Sequence, residues 1–135
     1  DLNHDRFNNP KNMIGEIQAA CRESGQPIPK TVGELVMCVY SNLARIYVRE
    51  LKQLEVLSGK TIDYLHVVGG GSNVSLLNQL TANLIGKEVI AGPGEATAIG
   101  NILVQMVSVG EFENLSQARH WLASSSSFEC YRPQI

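Results

Sequence analysis

The sequence predicts an α/β fold, rich in helix, with two core strands at about 62–68 and 87–91. Two successions carry this prediction. "TIDYLHVV" is a β-branched and aromatic run, apolar on both faces like a strand covered from both sides. It stops at Gly69, Gly70 and Gly71, before a stretch whose leucines recur at helical spacing. "KEVIA" then gives a second short strand, and Gly92-Pro93-Gly94 turns the chain into another helix. The order is strand, helix, strand, helix.

Taken in sequence, the first helix is expected to begin with Asn9 as N-cap and Pro10 at the first helical position, where a missing N–H costs nothing. Met13, Ile14, Ile17, Ala20 and Cys21 form its apolar stripe, and Gly25, Pro27 and Pro29 stop it after Ser24. From Thr31 to about Leu57, apolar residues recur at Leu35, Val39, Leu43, Ile46, Leu51 and Leu54, predicting an amphipathic helix of roughly 40 Å that Gly59 closes. After the first strand, Ser72 or Asn73 is expected to cap a helix that runs through Leu76, Leu77, Leu80 and Leu84 to Gly86. A further helix spans about Glu95–Val109. Ala96 and Gly100 lie one turn apart in it, and because Gly costs about 1 kcal/mol there, close approach to another backbone is expected. A last helix near Leu115–Ala123 carries Trp121, read as core or as a lid over an apolar patch, and "FECYRPQI" is expected to be irregular. No internal repeat or interdomain linker is visible.

At 135 residues the chain has the size of one domain or part of one. A net charge of −2 with 18% charged and 44% hydrophobic residues lacks the basic excess of a nucleic-acid partner. No apolar stretch is long and continuous enough to cross a bilayer, and "DLNHDRFNNP" is unlike a signal peptide, so a cytosolic protein without membrane contact is expected. Cys21, Cys38 and Cys130 fit no metal spacing. Cys21 and Cys38 flank a helix–helix turn, as buried thiols or as a disulfide.

Consecutive glycines between a strand and a helix expose backbone N–H groups at the positive end of a helix dipole, with no Cβ to hold a phosphate or ribose away. The competing reading is a tight turn that uses glycine for conformation alone. A dinucleotide fingerprint fails because its third glycine would fall at Val74, and a P-loop fails because Ser72-Asn73-Val74 replaces Gly-Lys-Ser/Thr.

The longer succession "HVVGGGSNVSLLNQLTANLIGKEVIAGPGEATAIGNILVQ" resembles the C-terminal domain of the FGGY carbohydrate kinases, and "DRFNNPKNM" and "CRESGQPIPKT" extend the likeness over nearly the whole chain. The resemblance implies a partial actin-like ATPase (ribonuclease H-like) domain, 1–135, lacking the N-terminal sugar-binding and catalytic portions. It implies ATP as ligand, with Mg²⁺ arriving on the nucleotide. The turn Gly69, Gly70, Gly71, Ser72 and Asn73 would lie against it: Gly70 approaching the ATP, Gly69 and Gly71 shaping the turn, Ser72 and Asn73 beside the adenosine. Ala96, Ala98 and Gly100 would let their helix pack tightly beneath. The aspartate base that such kinases use on the sugar hydroxyl is implied to lie outside this chain, as is the sugar pocket, so the chain alone is expected to be inactive. Self-association through an unpaired edge of the first strand is expected. The alternatives are a kinase of the same family for another sugar, such as a xylulokinase, and a stand-alone nucleotide-binding or protein-interaction module.

Other candidates read as structure. Asp63 starts a strand and Glu95 complements a helix dipole. His66 lies in an apolar strand, far in sequence from His4 and His120, without ligand spacing for a metal. Arg45, Arg49 and Lys52 form a solvated face broken by Glu50 and Glu55.

Overall fold

In the computed structural model, which describes residues 2–134, the first helix does not start where Asn9 and Pro10 suggest. Asn9 takes a left-handed φ of 58° and turns the chain aside. Asn12 instead caps α1 (Met13–Glu23), its carboxamide oxygen accepting from the Gly15 N–H at 3.0 Å. A Cβ on residue 15 would stand 2.9 Å from that carboxamide, which explains the glycine. Arg6 ties the preceding turn to the other end of α1 through Glu23 at 2.8 Å.

Thr31 and Glu34 open α2 (Val32–Ser58) with a capping box. The Thr31 hydroxyl accepts from the Glu34 N–H, and the Glu34 carboxylate accepts from the Thr31 and Lys30 N–H groups at 2.9 and 2.6 Å. Those backbone donors hold the Glu34 carboxyl below its usual pKa. Gly59, at φ 64°, ends the helix as expected. The Cys21 and Cys38 sulfurs meet between α1 and α2 at 3.8 Å as free thiols, so the disulfide is not formed. Burial, with Cys21 second, pushes the Cys38 thiol up.

The core lies where α2 crosses α3 (Ser75–Ile85) and where α3 covers the sheet. Ala44 and Ala82 are wholly buried, small enough for close helix approach, and Val89 is the largest apolar side chain fully removed from water.

Three strands form the sheet in the order β1 (Tyr64–Val67), β2 (Glu88–Ala91), β3 (Glu129–Tyr131). β1 and β2 run parallel, with Tyr64 opposite Glu88 and Val67 opposite Ala91, and β3 runs antiparallel to β2, with Cys130 opposite Ile90. β1 departs from expectation in two ways. It is covered on one face only, since Tyr64 and His66 are exposed while Leu65 and Val67 turn inward. It is also shorter, because the backbone of Ile62 is taken by side chains. The Ile62 N–H donates to Glu55 at 2.9 Å, and its carbonyl accepts from Lys87, whose Nζ is also 2.5 Å from the Glu55 carboxylate.

The tail is not irregular. β3 is held by contacts distant in sequence: Gln79 donates to the Arg132 carbonyl at 2.7 Å, Asn83 accepts from the Gln134 N–H at 2.9 Å, and Arg132 pairs with Glu88 at 3.2 Å.

The helix α4 (Ala96–Ser108) leans on α5 (Leu115–Ser125), and Leu103 is its buried residue. The expected tight packing of its small residues is not made among the described residues. Ala98 and Gly100 are exposed, and no atom lies within 4 Å of where a Gly100 Cβ would be. Ile102, Val104 and Val109 are likewise open to water. Trp121 is half exposed and rests against Phe112, ring centres 5.6 Å apart, while Asn114 caps its helix through the Gln117 N–H.

The Lys87 ammonium and the Ile62 N–H hold the Glu55 carboxyl below its usual value of 4.5. A depressed carboxyl stabilises the fold above its unfolded pKa and loses that contribution as pH falls through its folded one. Urea midpoints of wild type and Glu55→Gln should therefore differ by a constant amount near pH 7, and the gap should narrow as pH falls below 4.5 and close once the folded carboxyl is protonated; a gap that persists in acid would assign the effect to packing. The open edge of β1, with Val56 and Leu57 both 83% exposed nearby in the chain, also predicts self-association. Light scattering at rising concentration should show species larger than a monomer.

Candidate functional site

The two parallel strands end side by side in glycine turns, at the carboxyl edge where open α/β sheets bind their ligands. Gly69–Asn73 forms a single 3-10 turn after β1, and Gly92, Pro93 and Gly94 follow β2. Two backbone hydrogen bonds stitch the turns together. The Gly92 N–H donates to the Val67 carbonyl at 2.8 Å, and the Gly69 N–H donates to the Pro93 carbonyl at 3.0 Å. Gly69 and Gly92 need their glycines for conformation, with φ of 74° and 114°. Gly94 needs its glycine for space, since a Cβ there would stand 3.2 Å from the Asn73 carboxamide.

Gly70 differs from all of these. Its φ lies outside the left-handed region, it is exposed, and no atom lies within 4 Å of where its Cβ would be. Nothing in the chain's own packing requires a glycine there. Gly71 is exposed too, and its Cβ would meet only Val67 at an ordinary 3.8 Å.

Contrary to the expectation from sequence, neither Ser72 nor Asn73 caps α3. The residue at the cap position is Val74, and no side chain serves that end. Ser72 is buried with its hydroxyl donated to the Gly69 carbonyl at 2.7 Å, which closes the turn on itself, and Asn73 lies against Gly94. α4 begins equally bare, for Glu95 holds the cap position without a side-chain hydrogen bond. Two helix starts without a side-chain cap thus stand beside the glycine turns, an arrangement that favours negative charge.

Sequence reasoning missed Asn78. It is 1% exposed, and its carboxamide donates to the Ser72 carbonyl at 2.9 Å, anchoring the turn from below. The available signal was an amide inside the apolar stripe of "SLLNQLTANLI". His66, read as structural, donates through Nε2 to the Gly92 carbonyl at 2.6 Å, and Phe128 of the tail stands edge-on to its ring at 5.5 Å. Asp63 falls just before β1 and is exposed. A hollow of about 350 Å³ between the proline turn and α2, lined by Gln26, Met37, Asn42 and Arg45, does not include the glycine turns.

Comparison with known proteins identifies the family. The C-terminal domain pattern of the FGGY family of carbohydrate kinases matches residues 3–109. The chain is 50% identical over 134 residues to a rhamnulokinase of Ligilactobacillus salivarius (strain UCC118) and to one of Lactiplantibacillus plantarum (strain ATCC BAA-793 / NCIMB 8826 / WCFS1), and 48% identical to one of Bacillus subtilis (strain 168). Each match takes in 99% of this chain and 28% of the relative, so the chain spans little more than a quarter of the length of these proteins. With most of its length matched and the strand–glycine–helix succession in place, the chain belongs to the FGGY family of carbohydrate kinases, as its C-terminal domain.

Proposed function

We propose that these residues are the nucleotide-holding C-terminal portion of a longer ATP-dependent kinase that converts L-rhamnulose to L-rhamnulose 1-phosphate. The observation that carries the nucleotide part is Gly70, a glycine that its own fold does not need, at the end of a strand where a ligand would need the room. The sugar part rests on relatives that are named rhamnulokinase and align over nearly all of this chain.

In this reading Gly70 lets the adenosine side of ATP lie against bare backbone, and Gly69, locked to Pro93, keeps the turn in shape. Ser72 acts from inside, bonded to Gly69 and supported by Asn78, while Asn73, exposed at the rim, borders the nucleotide. The open N-termini of α3 and α4 add favourable potential for phosphate. Magnesium would enter with the nucleotide and offset phosphate charge. The base that takes the proton from the sugar hydroxyl, and the sugar pocket, belong in this reading to the portion of the kinase outside these residues. Among the described residues no helix is long and apolar enough to cross a membrane, and a cytosolic place of work follows from the proposed sugar chemistry.

Gly70→Val in the full-length kinase is the direct test. The substitution meets open space and an ordinary backbone, so the variant should fold with an unchanged Tm, while its Kd for ATP rises at least about tenfold, close to 1.4 kcal/mol. Gly69→Val, at φ 74°, should lower Tm instead. A folded Gly70→Val protein with native ATP affinity would move the site elsewhere. In a coupled kinase assay the full-length protein should favour L-rhamnulose over D-xylulose, and the 135-residue chain alone should show no turnover above background. A preference for D-xylulose would transfer the sugar assignment within the family.

A further inference from the structure

We propose that His66 is a positioning residue for the nucleotide site, setting the second glycine turn against the first through the carbonyl of Gly92. The inference rests on the reading of Gly69–Asn73 as the nucleotide turn. His66 sits on the uncovered face of the edge strand β1, where a side chain is ordinarily free to move. It is nevertheless fixed on two sides. Its Nε2 is 2.6 Å from the Gly92 carbonyl, which can only accept, so Nε2 carries the proton and donates it. Phe128, just before β3, meets the same ring edge-on at 89°.

Gly92 is therefore held at both ends by consecutive residues of β1, its N–H by the Val67 carbonyl and its carbonyl by His66. Phe128 also borders Gly92, since a Cβ there would touch its ring at 3.4 Å. The next two residues pass this orientation on. Pro93 accepts from the Gly69 N–H, and Gly94 packs on Asn73, so a rotation of the Gly92 peptide displaces both ends of the Gly69–Asn73 turn. Without the imidazole the Gly92 carbonyl turns to water, and part of the ATP binding energy goes to re-ordering the turn.

The test uses the full-length kinase with L-rhamnulose as the second substrate. His66→Ala should raise the KM for ATP by about three- to tenfold, the equivalent of one hydrogen bond, and leave kcat and the sugar KM within about twofold. His66→Gln, whose amide nitrogen stands near the position of Nε2, should restore most of the loss, and His66→Asn, with a shorter reach, should not. A folded His66→Ala protein with native KM for ATP overturns the proposal. If that variant does not fold, the Gln and Asn variants decide: ATP KM values alike in both overturn the proposal, and a raised value in Asn alone supports it. Gly70→Val separates this from the underlying reading. Weaker ATP binding in Gly70→Val with no effect in His66→Ala removes only the role of His66, whereas no effect in either removes the nucleotide turn itself.

Discussion

Two backbone hydrogen bonds, from Gly92 to Val67 and from Gly69 to Pro93, fix the geometry on which the rest of the candidate site depends. Parallel pairing brings β1 and β2 to the same edge, but strands alone leave their following loops free to diverge. The cross-bonds convert two loops into one surface. Each bond needs backbone that few residues adopt, which is why glycines occupy positions 69 and 92. The buried polar groups beneath, Ser72 and Asn78, spend their hydrogen-bonding capacity on the same turn, so the local cost of burying them is met by rigidity where a ligand would press.

The chain also carries features its own fold does not use. Gly70 and Gly100 face open space, and Ile102 and Val104 on α4 stand more than half exposed, although a helix ordinarily hides such residues. A glycine inside an exposed helix costs about 1 kcal/mol, and among the described residues no atom packs within 4 Å of a Cβ at Gly100. The relatives that the chain matches are several times its length.

Much of the fold was legible because it rests on local rules. Gly59 and Gly86 end helices where left-handed termini are expected, and the long helix keeps its Thr31 start and its apolar period as far as Leu51, while Leu54 is exposed. The misses have long-range causes. β3 has little strand character of its own and exists because Gln79, Asn83 and Glu88 hold the tail from across the sheet. Asn12 took the cap position from Asn9 because the backbone at Asn9 turns left-handed, which no side-chain pattern announces. Ser72 or Asn73 before an apolar run reads as a helix cap, yet the Ser72 hydroxyl turns back to Gly69 and Asn73 lies against Gly94. Of the site, the position of the glycines was plain from sequence, but the grip of His66 and Phe128 on Gly92 joins residues 26 and 36 positions away and left no local trace.

The Glu55–Lys87 pair has a mechanical meaning beyond its charge. Glu55 lies near the end of a helix of about 40 Å, and through Lys87 and the Ile62 backbone it grips the beginnings of both parallel strands. The helix is thereby a girder welded to the sheet at the end opposite the glycine rim. Strands, rim and girder are braced as one stiff unit, so that a push at the rim is felt along the length of the helix.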